Sequence, residues 1–304
     1  MSCDFISIDE YEKMCNEEKI TDESDQNTLV DFLNDLGIIV YFKDFSLLDT
    51  YVLNPKWMTE AVYKIINSDK LADSKGLLNF SVLKDILRKK KETDHYYPVS
   101  RYNYIINLMR KFELCYRIDE QTILLPDLLP VQQPEFDFDY DSALKFFIEY
   151  DFLPKSIMPS FIVKSHKDIK NGLQWRTGVV LENKSFNSCA VIKADNEEKR
   201  IYIDVNGNQK RDYFSSILRN LREINQSFEK LKAIEKILLP DELDIAVSYD
   251  FLLYLEEIGE EKWRPEGSRK VYNVKDLLGT INIRRKEEEL LEEILCILKT
   301  CQGQ

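Results

Sequence analysis

Glycine, proline and histidine are all scarce in this chain of 304 residues. Glycine and proline number nine each, which is too few for a disordered or loop-dominated chain and predicts long, regular elements. The two histidines, His95 and His166, stand in no two-ligand spacing, so we expect surface or capping roles for them and no metal site. No run of roughly 18 to 20 apolar residues occurs, so we expect neither a membrane span nor a membrane partner.

Cysteine pairs of the C-x-x-C type are also absent. The six cysteines are Cys3, Cys15, Cys115, Cys189, Cys296 and Cys301. The N-terminal residues form no apolar secretory run, so we expect reduced thiols and a cytoplasmic location. Cys189 falls inside a predicted strand, which favours a buried, unreactive thiol over a nucleophile.

Positive charge is in deficit, since the net charge is −12 and the pI is near 4.9. Such a surface repels phosphate backbones, so we expect no nucleic-acid partner. The basic run at 88–91 is the exception, at the end of a predicted helix. Its cations fit the negative end of a helix dipole. The alternative is a winged-helix nucleic-acid-binding protein that uses this run.

The length of the chain suits two domains of about 150 residues. Three prolines fall within nine residues at 126–134, the sequence PDLLPVQQP, which is typical of a domain boundary. We therefore predict one domain over residues 1–130 and a second over 131–304.

The first half has the pattern of helices with short strands between them. Apolar residues recur every three or four positions in the helical segments, and Asn54 followed by Pro55 is typical of a helix start. Helices are predicted from Ile8, over 26–36, from Asn54, over 80–90 and after Pro98; strands are predicted at 38–42, 51–53, 114–118 and 122–126. Helices followed by a two-stranded hairpin predict a winged-helix-like unit.

The second half changes to the period of strands. Leu144, Phe146, Ile148, Tyr150 and Phe152 alternate, which predicts one face of a strand. Further strands are predicted at 173–182, 188–194 and 200–205, with a turn at Asn206–Gly207; helices are predicted over 211–238, over 249–258 and from 284. The fold class is α+β, with a helical first half, a mainly antiparallel sheet in the second half, and a long helix covering that sheet.

No pattern of catalytic residues stands out. A GTPase needs a Gly-rich phosphate loop that ends in Lys-Ser or Lys-Thr, and no Gly-Lys pair occurs in this sequence. The D-x-x-G pattern at 204–207 is explained by the predicted turn. We therefore expect no enzymatic activity, no catalytic residues, no bound metal and no cofactor.

Several segments resemble the COR domain, the region C-terminal of the Roc G domain in Roco GTPases. The segments, in the order found in that family, are LLDTYVLNPKWMTEAVYKII (47–66), LMRKFELCYRID (108–119), ILLPDLLP (123–130), YDFLPKSIMPSFIVKSH (150–166), LQWRTGVVLE (173–182) and IYIDVNGN (201–208). The resemblance extends over about residues 5 to 280. The tail PEGSRKVYNVKDLL (265–278) is more similar to prokaryotic Roco proteins.

The resemblance implies a non-catalytic module that follows a Roc G domain in the same polypeptide. It also implies a homodimer through the second half, with nucleotide state coupled to association of the two copies. The family segment that matches Tyr150, Phe152, Leu153 and Pro154 faces the G domain, so these are the candidates for that contact. Residues 5–19 resemble the segment that connects a preceding G domain to a COR domain, so we expect the natural polypeptide to begin before Met1.

The sequence defines the dimer surface less well than it defines the G-domain contact. The long helix can cover only one face of the predicted sheet, and the other face is covered either by the C-terminal helices or by a second copy. Trp175 and Arg176 are the candidates for the second of these. An unrecognised enzyme remains a third hypothesis, which predicts a deep pocket with titratable groups of perturbed pKa.

Overall fold

The structure is a computed structural model, and it describes residues 4–43, 47, 50–89, 91–92, 94–242 and 244–279. The chain separates into two compact units, and the boundary lies between Pro130 and Val131. Among the described residues, no helix is both long and apolar enough to cross a bilayer.

Six α-helices form most of the described part of the first unit. They are α1 (Ile8–Glu17), α2 (Glu23–Asp35), α3 (Pro55–Ile66), α4 (Asp69–Asp73), α5 (Phe80–Ile86) and α6 (Tyr102–Lys111). Polar side chains cap the first turns of α1, α2, α3 and α5. On α1, Ser7 and Glu10 form a reciprocal capping box. The Asn54 carboxamide accepts a hydrogen bond from the backbone of α3. The starts of these four capped helices are thus encoded locally.

The strands of the first unit are short. β1 (Phe5–Ser7) pairs antiparallel with β2 (Thr50–Val52). β3 (Leu77–Asn79), β4 (Tyr116–Arg117) and β5 (Thr122–Leu124) form an antiparallel sheet in the order β3-β5-β4. The hairpin predicted at 114–126 is therefore present, and a third strand joins it. Trp57, Leu83 and Ile105 lie in the core beside this sheet.

Two predictions in the first unit are wrong. Residues 38–42 do not form a strand, because only Val40 makes a β-bridge, to Val52. The helix predicted over 80–90 ends at Ile86, with Leu87 as its C-cap. In the first segment only Ile39 is buried, and in the second the exposed Arg88 and Lys89 follow the buried C-cap Leu87.

A seven-stranded antiparallel sheet dominates the second unit. Its strands are β6 (Leu144–Tyr150), β7 (Ile169–Trp175), β8 (Gly178–Asn183), β9 (Ser188–Asp195), β10 (Arg200–Gly207), β11 (Ala233–Leu238) and β12 (Ala246–Ser248), and their order is β12-β11-β6-β10-β9-β8-β7. The helices are α7 (Ile157–Lys164), α8 (Lys210–Gln226), α9 (Tyr249–Glu257) and α10 (Val274–Leu277), and β13 (Lys262–Trp263) pairs with β14 (Tyr272–Asn273). The predicted α+β class, with an antiparallel sheet in the second half, is confirmed.

Helices α8 and α9 pack on the same face of this sheet. Phe146 of β6 lies 4.6 Å from the Phe214 ring of α8 and 5.4 Å from the Tyr249 ring of α9, measured between centroids. The first of these helices presents six buried residues to the sheet at helical spacing. The predicted covering helix is therefore present, although it is shorter than expected.

Three predictions in the second unit are corrected. The helix predicted over 211–238 ends at Gln226, and residues 233–238 join the sheet as β11. The strand predicted over 173–182 is a hairpin that turns at residues 176–177. Asn206 and Gly207 are paired within β10, so they do not form a hairpin turn. The helix predicted from 284 lies outside the described residues.

Candidate interaction surfaces

Phe152 is the exposed member of the four residues expected to face a G domain. β6 ends at Tyr150, whose side chain is buried and whose hydroxyl lies 3.3 Å from Oδ1 of Asn225. Leu153 and Pro154 are buried as well. The Phe152 side chain is 66% exposed, because the strand has ended and the alternation no longer directs it inward. Only this side chain of the four is available to a partner.

The loop that carries Phe152 is fixed by Asp151. Oδ1 of Asp151 accepts hydrogen bonds from the backbone N–H groups of Phe152 (2.9 Å) and Lys232 (3.2 Å). The carbonyl oxygen of Asp151 accepts a third bond, from Nζ of Lys199 (3.1 Å). Phe152 therefore projects from a loop with a defined conformation, and the exposed Lys155, Lys199 and Lys232 give its surroundings positive charge.

The two residues expected on a dimer surface differ in exposure. Trp175 is 1% exposed and stacks on Phe136, with the ring centroids 6.2 Å apart. Arg176 follows it in the β7–β8 turn and is exposed. Trp175 therefore supports the shape of this end of the sheet, while Arg176 presents its side chain to solvent. Their role in a dimer stays a prediction.

A charged ladder crosses the sheet on the face opposite α8. The Glu149 carboxylate of β6 lies 2.9 Å from Arg200 of β10 and 2.6 Å from Lys236 of β11. Both cations also lie over the ring of Phe147, at 4.7 and 5.9 Å from its centroid. Phe147 is buried beneath them. These two cations hold the pKa of Glu149 below its usual value, Lys236 having the larger effect.

This ladder was not predicted. The alternation in β6 predicted one apolar face, whereas Lys145 and Glu149 flank Phe147 on the other. Charged residues at alternate positions around a central aromatic residue were the available signal. Of the C-terminal helices considered as a covering for this face, α9 lies instead on the face that α8 covers. The helix predicted from 284 lies outside the described residues.

A polar groove beside β8 and β9 contains Cys189, the thiol considered above as a possible nucleophile. The thiol of Cys189 donates a hydrogen bond to Glu182 (3.3 Å), and Glu182 forms an ion pair with Lys170 (2.9 Å). Burial, and then the Glu182 carboxylate, raise the pKa of the Cys189 thiol. A raised pKa disfavours the reactive thiolate. Within the described ranges, no cluster of His, Cys, Asp or Glu has the arrangement of a metal site.

The basic run and the two histidines occupy structural positions. Arg88 and Lys89 follow the C-terminus of α5 and are exposed, whereas Lys90 lies outside the described residues. Nδ1 of His95 lies 2.9 Å from Asp4, and Nδ1 of His166 lies 2.7 Å from the carbonyl oxygen of Val163. Nothing in the described part of the chain favours the nucleic-acid alternative.

Family models match both units of the chain. The model described as "C-terminal of Roc, COR-A domain" matches residues 1–129, and the model described as "C-terminal of Roc, COR-B domain" matches residues 141–280. The two matches together include nearly all of the described residues.

Individual relatives belong to much longer proteins. A Roc-COR-CHAT protease of Runella zeae is 27% identical over 238 residues, which is 76% of this chain and 24% of that protein. The probable serine/threonine-protein kinase pats1 of Dictyostelium discoideum is 24% identical over 72% of this chain and 7% of that protein. The chain thus spans a quarter or less of these relatives. A solved structure of Methanosarcina barkeri Roco2 RocCORdC bound to GDP is 69% identical over 42% of this chain and 40% of its own, with a TM-score of 0.42.

Proposed function

This chain belongs to the COR family, a non-catalytic part of Roco proteins, and from that premise we propose that it couples the nucleotide state of an adjacent Roc G domain to the association of two copies. The G domain would be the intramolecular partner and a second copy the intermolecular one. A cytoplasmic location is part of the same proposal, because the cysteine spacing is that of reduced thiols.

The exposed Phe152 carries the proposal for the G-domain contact. An aromatic side chain held in the open by a fixed loop loses little conformational freedom when a partner covers it. Aromatic residues of this kind are enriched among the side chains that dominate interface energies. Tyr150, Leu153 and Pro154 have a different role in this proposal: they are buried and hold the loop in position.

A titration tests this contact directly. The chain is mixed with the Roc G domain that precedes it in the parent polypeptide, loaded with GDP or with a non-hydrolysable GTP analogue, and binding is measured by calorimetry. We expect Phe152→Ala to weaken binding about 10-fold or more. Tyr63→Ala is the matched control, because Tyr63 is also 66% exposed and lies in the first unit. Equal binding by the wild type and Phe152→Ala would contradict the contact.

Dimerisation is proposed through the sheet end that carries Arg176. Light scattering behind a sizing column, over a range of loading concentrations, should give a mass near twice 35.9 kDa at the upper end. Arg176→Glu should move the transition to higher concentration, whereas the charge-matched control Arg88→Glu, in the first unit, should not. A monomer at every concentration would remove dimerisation from the proposal and leave the G-domain contact untouched.

A further inference from the structure

An open apolar groove lies between α1 and α2 in the first unit. Phe152, Arg176 and the charged ladder all belong to the second unit. Its volume is about 280 Å³. Tyr11, Cys15 and Leu33 contribute to its walls, and Glu18 is the charged residue among those that line it. We call it the α1–α2 groove.

The Tyr11 hydroxyl that lines the groove is already hydrogen-bonded. The hydroxyl of Tyr11 donates a hydrogen bond to the carbonyl oxygen of Gln26 (2.8 Å), and the Gln26 carboxamide donates one to the carbonyl oxygen of Ile20 (2.8 Å). These bonds also tie α1 to the start of α2 and fix the spacing between the helices. The α1–α2 groove therefore offers a partner apolar contact and makes no demand for a polar ligand.

Large apolar side chains continue the groove onto the surface. Met14, on α1, and Ile38, just after α2, both line it and are each 55% exposed. Phe32 and Leu36, near the end of α2, are exposed to a similar degree. Scattered exposed apolar residues are ordinary, but two exposed residues that line one open groove, with two more near the end of the helix that forms its wall, are typical of a binding surface.

The charge around the groove defines the chemistry of the partner. Residues 8–36 contain ten acidic and two basic side chains, a net charge of −8, whereas the whole chain carries −12. Nine of those ten acidic side chains are exposed; the tenth, Asp31, forms an ion pair with Lys43. An apolar floor with an acidic surround is complementary to an apolar stripe bordered by cations.

We propose that the α1–α2 groove binds an amphipathic helix of a partner protein whose apolar stripe is bordered by Lys and Arg. Two helices form the walls, so a third helix can lie between them and insert side chains at positions i, i+3, i+4 and i+7. The acidic surround speeds association and selects against acidic helices, while the apolar floor supplies the affinity. This surface belongs to the first unit, whereas the contact proposed for the G domain belongs to the second.

A synthetic peptide tests the proposal on the full chain. The probe is a fluorescein-labelled peptide of about 18 residues, long enough for about five helical turns, with Leu at helical spacing and Lys elsewhere. We expect saturable binding by fluorescence anisotropy, and weaker binding as salt rises from about 50 to about 500 mM. A peptide of the same composition, scrambled so that no stripe forms, should bind at least about 10-fold more weakly.

Matched variants distinguish binding in the groove from non-specific attraction between the acidic protein and the basic peptide. Ile38→Ser should weaken binding of the striped peptide about 10-fold. Ile118→Ser is its control, because Ile118 is 51% exposed and does not line the groove. Met14→Ser is a second groove variant, and circular dichroism checks that each protein is folded.

Three results would overturn the proposal. Equal binding of the striped and scrambled peptides would show attraction by charge alone. Equal loss in Ile38→Ser and Ile118→Ser, or no loss in either, would place binding outside the groove. Failure of the striped peptide to bind, together with self-association that Ile38→Ser abolishes in light scattering, would assign the groove to a second copy of the chain.

Discussion

Gly178 has no room for a side chain. It begins β8 directly after the β7–β8 turn, and a β-carbon built on it would lie 2.1 Å from Cζ2 of Trp175. Real β-carbons do not approach other atoms so closely, so a larger residue must displace the indole ring or the turn. Glycine at this position allows Trp175 to fold back over the start of the next strand.

We predict that Gly178→Ala lowers the free energy of unfolding by about 1 to 3 kcal/mol, the usual cost of overpacking. Gly172→Ala is the control. A β-carbon at Gly172 meets no atom within 4 Å, and its φ of +70° adds backbone strain of about 1 kcal/mol alone. Urea unfolding followed by circular dichroism and tryptophan fluorescence measures both. A Gly178→Ala variant no less stable than Gly172→Ala would contradict the steric argument.

Asp204 is a second residue that should lower the free energy of unfolding at neutral pH, because its carboxylate is buried. It lies on β10 opposite Lys145 of β6, and burial raises its pKa to about 6, with Lys145 opposing the shift. The folded state therefore holds its proton more tightly than the unfolded state, whose pKa is about 3.9. The protonated form is favourable below that pKa, and this advantage is lost as pH rises through about 6.

Asp204→Asn should therefore stabilise the protein at pH 7 by about 1 to 2 kcal/mol, since the neutral amide avoids the cost of a buried charge. The difference between variant and wild type should shrink as pH falls from about 7 to about 4, because Asp204 becomes protonated. Urea unfolding across this pH range measures the difference. A constant difference at every pH would contradict the assigned titration.

Three neighbouring strands, β11, β6 and β10, are linked by one carboxylate. Glu149 on β6 contacts Arg200 on β10 and Lys236 on β11, and its side chain is about a third exposed. Its lowered pKa means that this contribution is complete above the unfolded pKa of about 4.3 and is lost as pH falls through the folded value. The ladder therefore joins neighbouring strands in addition to their backbone hydrogen bonds.

We predict that Glu149→Gln lowers the free energy of unfolding by about 1 kcal/mol at low salt, and by less at about 1 M salt, where charges are screened. Asp31→Asn is the control: its ion pair with Lys43 has side chains that are 45% and 71% exposed, so removing it should have little effect. Chemical unfolding at the two salt concentrations compares the variants. An effect of Glu149→Gln that is independent of salt would contradict the electrostatic origin.

The sequence predicted elements well where local signals mark their ends. The Asn54 cap fixed the start of α3, and Gly259 with its positive φ follows the end of α9. The helix predicted over 211–238 failed because no glycine or proline interrupts the chain between Gln226 and β11. Leu231 and Ile234 continue the helical period by coincidence. Pairing with β6 decided the outcome, and that is a long-range interaction.

The candidate surfaces were predicted less completely than the elements. Family resemblance directed attention to the segment at 150–154, but strand alternation placed Phe152 on the buried face. The alternation failed because β6 ends at Tyr150 and Asp151 redirects the chain. The α1–α2 groove was not predicted, since its walls depend on the distance between two helices, and no sequence period encodes that distance.

At the scale of the whole molecule, the two units should fold separately. Residues 131–133 are exposed, and each unit has its own sheet and buried residues. A protease site inserted between Val131 and Pro134 should be cut without loss of either fold. Circular dichroism and urea unfolding of the purified fragments provide the measurement. Absence of a cooperative transition in either fragment would contradict the proposed domains 1–130 and 131–304.

The position of β6 in the sheet has a kinetic consequence. β7, β8, β9 and β10 follow one another as hairpins, so they can assemble from contacts that are close in sequence. β6 precedes them in the chain, yet it lies between β10 and β11. Its pairing with β11 closes the longest loop in the sheet, which carries the largest entropic cost. We therefore expect insertion of β6 to be the late and slow step of folding. Before that step, the sheet of β7, β8, β9 and β10 has an unpaired apolar edge at β10, and we expect aggregation to begin at this edge.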